Sequence, residues 1–149
     1  MRILLQRVSK ASVSINGRIA GSIDGGLLLL VGVGHNDTEV DADILARKIT
    51  TLRIFNDAQG KFNRSLLAVA GGVLVVSQFT LYANVRKGRR PNFTDAAAPD
   101  HAKFLCDYFA KQLALLGVKP VATGVFGAMM QVEIHNDGPV SIWLDSANL

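Results

Sequence analysis

Val73-Leu74-Val75-Val76-Ser77-Gln78-Phe79-Thr80-Leu81-Tyr82 begins as a buried strand and does not end as one. Three valines and a leucine follow the Gly71-Gly72 breaker, the composition of a strand enclosed on both faces. The run then turns polar without a turn signal. Ser77, Gln78 and Thr80 put two hydroxyls and an amide where a core strand would continue with Val or Ile. A strand that leaves a core in this way holds polar groups at the rim of a pocket. A solvated edge strand reads the same by itself, so the surrounding chain has to separate the two.

Upstream, residues 2–9 alternate loosely as a first strand. Ser12-Val13-Ser14-Ile15 and Arg18-Ile19-Ala20-Gly21-Ser22-Ile23 alternate around Asn16-Gly17, the strongest short hairpin signal. After Gly25-Gly26, the continuous apolar run Leu27 to Val33 predicts a strand buried on both faces. Thr38 to Phe55 predicts a helix with Val40, Ile44, Leu45, Ile49 and Leu52 on its apolar stripe and Asp37 or Thr38 as its cap. Asn56 to Gly60 is a turn, and residues 61–72 carry no clear period. Downstream, a basic loop from Ala83 to about Ala98 leads to a second helix opened by Pro99. Ala102, Leu105, Phe109, Leu113 and Leu116 keep its period, and Gly117 ends it. Met130 to His135 and Val140 to Leu144 alternate as strands. The order of strands, helix, strand, helix and strands predicts an α/β (mixed α+β) fold, a mixed sheet with two main helices on one side.

Length and composition set bounds. The 149 residues predict one domain, 1–149, with no linker, repeat or low-complexity tract. One cysteine, Cys106, permits no internal disulfide and suits a reducing cytoplasm; its helical position predicts a core role. No signal peptide is visible, and no apolar run approaches the roughly 18 residues of a membrane span. The net charge of +4 is a mild bias toward anionic partners. Arg86, Lys87, Arg89 and Arg90 concentrate four charges within five residues, either a solvated mobile loop or a phosphate-contacting one.

The side chains exclude several chemistries. His35, His101 and His135 are scattered, none stands in a nucleophile motif, and structural or surface roles are predicted for all three; convergence of His135 with Ser77 in space stays open. One cysteine and three dispersed histidines show no metal-ligand spacing. Gly32-Val33-Gly34 lacks the third glycine and the lysine of a phosphate loop, and Gly124-Val125-Phe126-Gly127 reads as a turn. No metal or other cofactor is implied.

A second stretch changes the weighing. Asn136-Asp137-Gly138-Pro139-Val140-Ser141 reads by itself as hairpin punctuation between two strands. Together, Ser77-Gln78-Phe79-Thr80-Leu81 and Gly138-Pro139-Val140 resemble the paired signatures of the D-aminoacyl-tRNA deacylases. Ser141 stands where that family usually has Thr, which keeps the hydroxyl and drops a methyl. Arg86 to Phe93 and Gln6 to Val13 are similar as well, so the likeness runs from end to end.

The resemblance implies a three-layer β/β/α fold and a cytoplasmic, cofactor-free homodimer with active sites at the subunit interface. It implies hydrolysis of D-aminoacyl-tRNA esters at Ser77, Gln78, Phe79 and Thr80. Substrate contacts are expected at Gly138, Pro139, Val140 and Met130, and tRNA contacts at Arg86, Lys87, Arg89 and Arg90. A cis Gly138-Pro139 unit reaching into the partner's site would reject L-residues, and glycyl-tRNA should leak through. Thr80 is the one plausible protein nucleophile, but no base is visible beside it. Water attack assisted by the substrate's ribose 2′-hydroxyl is therefore favoured, with the Phe79 and Thr80 backbone N–H groups holding the oxyanion. An RNA-binding module using the basic loop, or a Ser/Thr hydrolase of small esters, are the alternative readings.

Overall fold

Asn16 and Gly17 both take positive φ, 50° and 77°, as a tight hairpin of the expected kind requires. They turn β1 (Arg2–Ile15) back into β2 (Arg18–Ile23). The computed structural model describes residues 1–149. β3 (Gly26–Gly32) pairs antiparallel with the first half of β1, and β2 with its second half. β8 (Gln131–Asp145) runs antiparallel along the opposite edge of β1. β6 (Gly72–Ser77) lies parallel to β3, and β7 (Val121–Thr123) parallel to β6. The sheet order is β2-β1-β3-β6-β7, with β8 on β1. A separate ribbon joins β4 (Phe55–Asn56) to β5 (Phe62–Arg64).

Two cores explain why β3 and β6 are apolar without alternation. Leu27, Leu29, Val31, Val73 and Val75 face α1 (Glu39–Thr51) and α2 (Pro99–Leu115), within a cluster of 24 buried residues. Leu28, Leu74 and Val76 face the other way, against Val8, Ala11, Val13 and Ile23 of the curled β1–β2 layer. A strand between two apolar layers has no polar face to show, which is what its sequence predicts. The result is the expected three-layer β/β/α arrangement. Phe109, fully buried on α2, contributes about 1.5–3 kcal/mol through burial alone.

Four expectations are corrected. The strand begun at Val73 stops at Ser77, and Phe79–Tyr82 forms a 3-10 turn. The first helix ends at Thr51, not Phe55, because Leu52 is extended and the chain leaves to pair β4 with β5. Its stripe is also shifted: Ala42, Leu45, Ala46 and Ile49 are buried, while Val40 and Ile44 are exposed. Finally, Asn136-Asp137-Gly138 is no hairpin. β8 continues through it, and register shifts around Val8 absorb the irregularity. Gly117, at φ 98°, ends α2 as expected.

Candidate active site

β3, β6 and β7 are mutually parallel and end side by side at Gly32, Ser77 and Thr123. Parallel sheets place ligands beyond the carboxyl ends of their strands. A cavity of about 810 Å³ opens there, walled mainly by apolar side chains from β3, α2 and the Phe126–Met130 loop. Ser77, Gln78 and Phe79 form part of its wall, and so does Met130. Phe79 stacks edge-on against Phe93 of the basic loop at 5.0 Å, so two exposed or half-buried rings frame this side of the cavity.

The 3-10 turn presents main-chain donors. The Gln78 N–H is used, donating to the Val31 carbonyl at 2.7 Å. The Leu81 N–H donates to the Gln78 carbonyl and the Ala83 N–H to the Thr80 carbonyl. The N–H groups of Phe79 and Thr80, at the start of the turn, find no acceptor in the chain. Phe79 and Thr80 are exposed residues; Phe79 lines the cavity and Thr80 follows it in the turn.

The side chains beside these donors are poorly equipped as nucleophiles. Thr80 Oγ1 accepts a hydrogen bond from Gln78 Nε2. That amide is a donor and cannot take the hydroxyl proton. Cys106 lines the cavity, but burial first, with Asp107 reinforcing it, pushes its thiol up to about 12. It is therefore protonated at neutral pH and unreactive. The histidines lie elsewhere: His35 Nε2 meets the Thr94 carbonyl, His101 Nε2 meets the Asp37 carbonyl, and His135 pairs with Lys10 on the sheet. Ser77 and His135 therefore do not converge.

Gly138, Pro139 and Val140 do not join this cavity in their own chain. Val140 is buried in the helix-side core. Gly138 and Pro139 are exposed on β8, and the Gly138-Pro139 bond is cis. Gly138 takes φ 126°, a region that disfavours any side chain, and a Cβ there would meet Arg7 Nη2 at 2.8 Å. Arg7 itself is buried. Its Nη1 donates to the Ile54 carbonyl at 2.6 Å and its Nε to the Asp137 carbonyl at 3.0 Å. Arg86, Lys87, Arg89 and Arg90 sit at the exposed tip of a loop closed by an antiparallel Asn84–Asn92 bridge.

Three site-building residues escaped the sequence reading. Arg7 looked like a polar residue of an alternating strand, yet it fastens the segment before Gly138. Gly32 and Gly34 looked like a failed phosphate loop. A Cβ on Gly32 would sit 3.0 Å from Leu81 Cβ, and one on Gly34 would sit 2.8 Å from the Tyr82 ring. The turn lies flat on this backbone because both positions lack side chains. Closely spaced glycines at a strand end are the legible signal for such an approach.

The comparisons with known proteins agree with this architecture. Residues 4–145 match the family described as D-Tyr-tRNA(Tyr) deacylase. The D-aminoacyl-tRNA deacylase of Thermomicrobium roseum is 62% identical, with 100% of this chain and 96% of that protein covered. That of Chloroflexus aurantiacus is 59% identical over 100% of this chain and 92% of its own length. Among solved structures, the c-Myc DNA Unwinding Element Binding Protein superposes with a TM-score of 0.92 at 38% identity, covering 97% of this chain and 98% of that one. A probable eukaryotic D-amino acid tRNA deacylase, at 18% identity and a TM-score of 0.83 over 96% and 97% of the two chains, shares the fold. Matched over nearly its whole length and more than half identical to the deacylases of Thermomicrobium roseum and Chloroflexus aurantiacus, the chain belongs to the D-Tyr-tRNA(Tyr) deacylase family and is a hydrolase of that family.

Proposed function

We propose that this protein hydrolyses the ester of D-aminoacyl-tRNA to free D-amino acid and tRNA, using main-chain donors and no protein nucleophile. The observation that carries this reading is the pair of unpartnered N–H groups at Phe79 and Thr80, set beside a cavity without an activated side chain. An aminoacyl ester is already activated, so modest assistance suffices. Water adds to the ester carbonyl, and the two N–H groups receive the developing oxyanion. Loss of one such donor costs about 2.7–4 kcal/mol in other enzymes. The ribose 2′-hydroxyl assists the water. Collapse breaks the bond to the 3′-oxygen, which leaves with a proton as the tRNA 3′-hydroxyl. Ser77 and Gln78 orient the substrate, and Met130 packs against it.

Chirality is judged by a partner. Gly138 and Pro139 are exposed and absent from their own cavity, which suits delivery to the site of a second protomer. β8 supports such a homodimer: it pairs only with β1, so its other edge is unpaired, and Trp143 on it is 49% exposed. Main-chain carbonyls at Gly138 and Pro139 would wall off the direction an L side chain takes. A steric wall of this kind rejects without gripping any particular D side chain. Glycine has nothing to clash, so glycyl-tRNA is also hydrolysed. Arg86, Lys87, Arg89 and Arg90 contact tRNA phosphates, and the protein acts on its substrate in the cytoplasm.

Deacylation of D-Tyr-tRNA, L-Tyr-tRNA and Gly-tRNA by the purified protein tests this. The expected result is rapid loss of the D and glycyl esters and persistence of the L ester. Cleavage of neither Tyr ester leaves an RNA-binding module, and equal cleavage of both leaves a general esterase. Either outcome overturns the proposal.

A further inference from the structure

The turn that carries the two free N–H groups is tethered at three points. Its entry is fixed by the Gln78 N–H on the Val31 carbonyl. Its flank is fixed by Tyr82, whose hydroxyl donates to Asp37 Oδ2 at 3.0 Å. Its exit is fixed by Arg2. The turn's internal hydrogen bonds use the carbonyls of Gln78, Phe79 and Thr80, and the Leu81 carbonyl is the first without an internal donor. Arg2 Nη1 donates to it at 3.2 Å.

The same guanidinium makes further contacts, one of them with the Trp143 ring at 6.0 Å. Its Nε donates to Asp145 Oδ2 at 3.1 Å, and its carbon lies 4.2 Å from the centre of the Tyr82 ring. We propose that Arg2 is a positioning residue of the hydrolytic site, capping the exit of the Phe79–Tyr82 turn and thereby fixing the two amides at its start. A planar fork can meet a carbonyl, a carboxylate and a ring face together, which a lysine cannot. A cation at this end also complements the dipole of the turn. The ion pair with Asp145 is one-third exposed on the Arg2 side, so it contributes little to global stability. Its effect falls instead on where the amides point.

This inference rests on the oxyanion role assigned to Phe79 and Thr80 above. The test compares wild type, Arg2→Leu and Arg2→Lys, each as the full chain. Amide resonances of Phe79 and Thr80 are followed by ¹⁵N NMR, beside kcat and KM on D-Tyr-tRNA. The expected result for Arg2→Leu is moved amide resonances and a kcat lowered about tenfold, a typical consequence of sub-ångström misplacement, with KM unchanged. Arg2→Lys recovers part of the loss. Unmoved amides in folded Arg2→Leu overturn the positioning role and leave the oxyanion reading standing. Moved amides with unchanged kcat overturn the oxyanion reading, and the catalytic part of the proposal falls with it.

Discussion

Replacing Gly34 by alanine tests the close approach on which the active turn depends. The added Cβ would stand 2.8 Å from Tyr82 Cε1 and from its hydroxyl oxygen, and 2.9 Å from Cζ. Ordinary contact begins at 3.4 Å, so the ring must retreat by about 0.6 Å. It cannot swing freely. Its hydroxyl is held by Asp37, the Arg2 guanidinium covers one face, and Tyr82 is 9% exposed. The retreat therefore drags the 3-10 turn with it. Overpacking of this kind destabilises by about 1–3 kcal/mol. Misplacement of a catalytic group by about 1 Å costs up to about 100-fold in rate, so a fall in kcat of about tenfold or more is expected from 0.6 Å. Gly25→Ala is the matched control, since nothing lies within 4 Å of a Cβ there. Single-turnover deacylation of D-Tyr-tRNA and a thermal melt are measured on both variants. If Gly34→Ala melts a few degrees lower yet turns over at the wild-type rate, the turn does not carry the chemistry.

Thr80→Ala removes the hydroxyl that accepts from Gln78 but keeps the backbone N–H, so turnover is expected to stay within about tenfold of wild type. Trapping an acyl group on Thr80 by mass spectrometry would defeat this reasoning. Cys106→Ser should leave kcat nearly unchanged, and no thiolate inflection should appear in the pH–rate profile below pH 9, because burial lifts the thiol to about 12. Replacing both Arg89 and Arg90 by alanine should weaken tRNA binding and lower the salt slope by about one for each phosphate no longer neutralised; an unaltered slope from filter binding would show that the loop is only solvated. Arg7→Met leaves the buried Ile54 carbonyl without its donor, at a cost of about 1–3 kcal/mol seen as a lowered denaturation midpoint. The same variant loosens the Gly138 segment, so its preference for the D over the L ester should shrink.

Local chemistry was enough for several features. Asn16-Gly17 specifies its hairpin because both residues tolerate positive φ. The unbroken runs at Leu27 and Val73 announce strands that lie between two apolar layers. Pro99 and Gly117 bracket α2 because one lacks an N–H that the first turn does not use, and the other accepts a left-handed φ. The polar break after Val76 marks where the β6 strand leaves the core. Long-range pairing settled the rest. Asn136-Asp137-Gly138 has the composition of a turn, but β1 offers an edge long enough to keep β8 extended through it. Val40 and Ile44 fit a helical stripe, yet α1 is rotated so that Ala42 and Ala46 face the core, where α1 packs against α2. The residue types point to the Phe79 and Thr80 N–H groups as candidates, but whether the chain itself uses those donors is decided only by the fold. They stand at the start of a turn that packs Tyr82 over Gly34 and receives Arg2 on the Leu81 carbonyl, contacts between residues 48 and 79 positions apart that only the folded chain brings together.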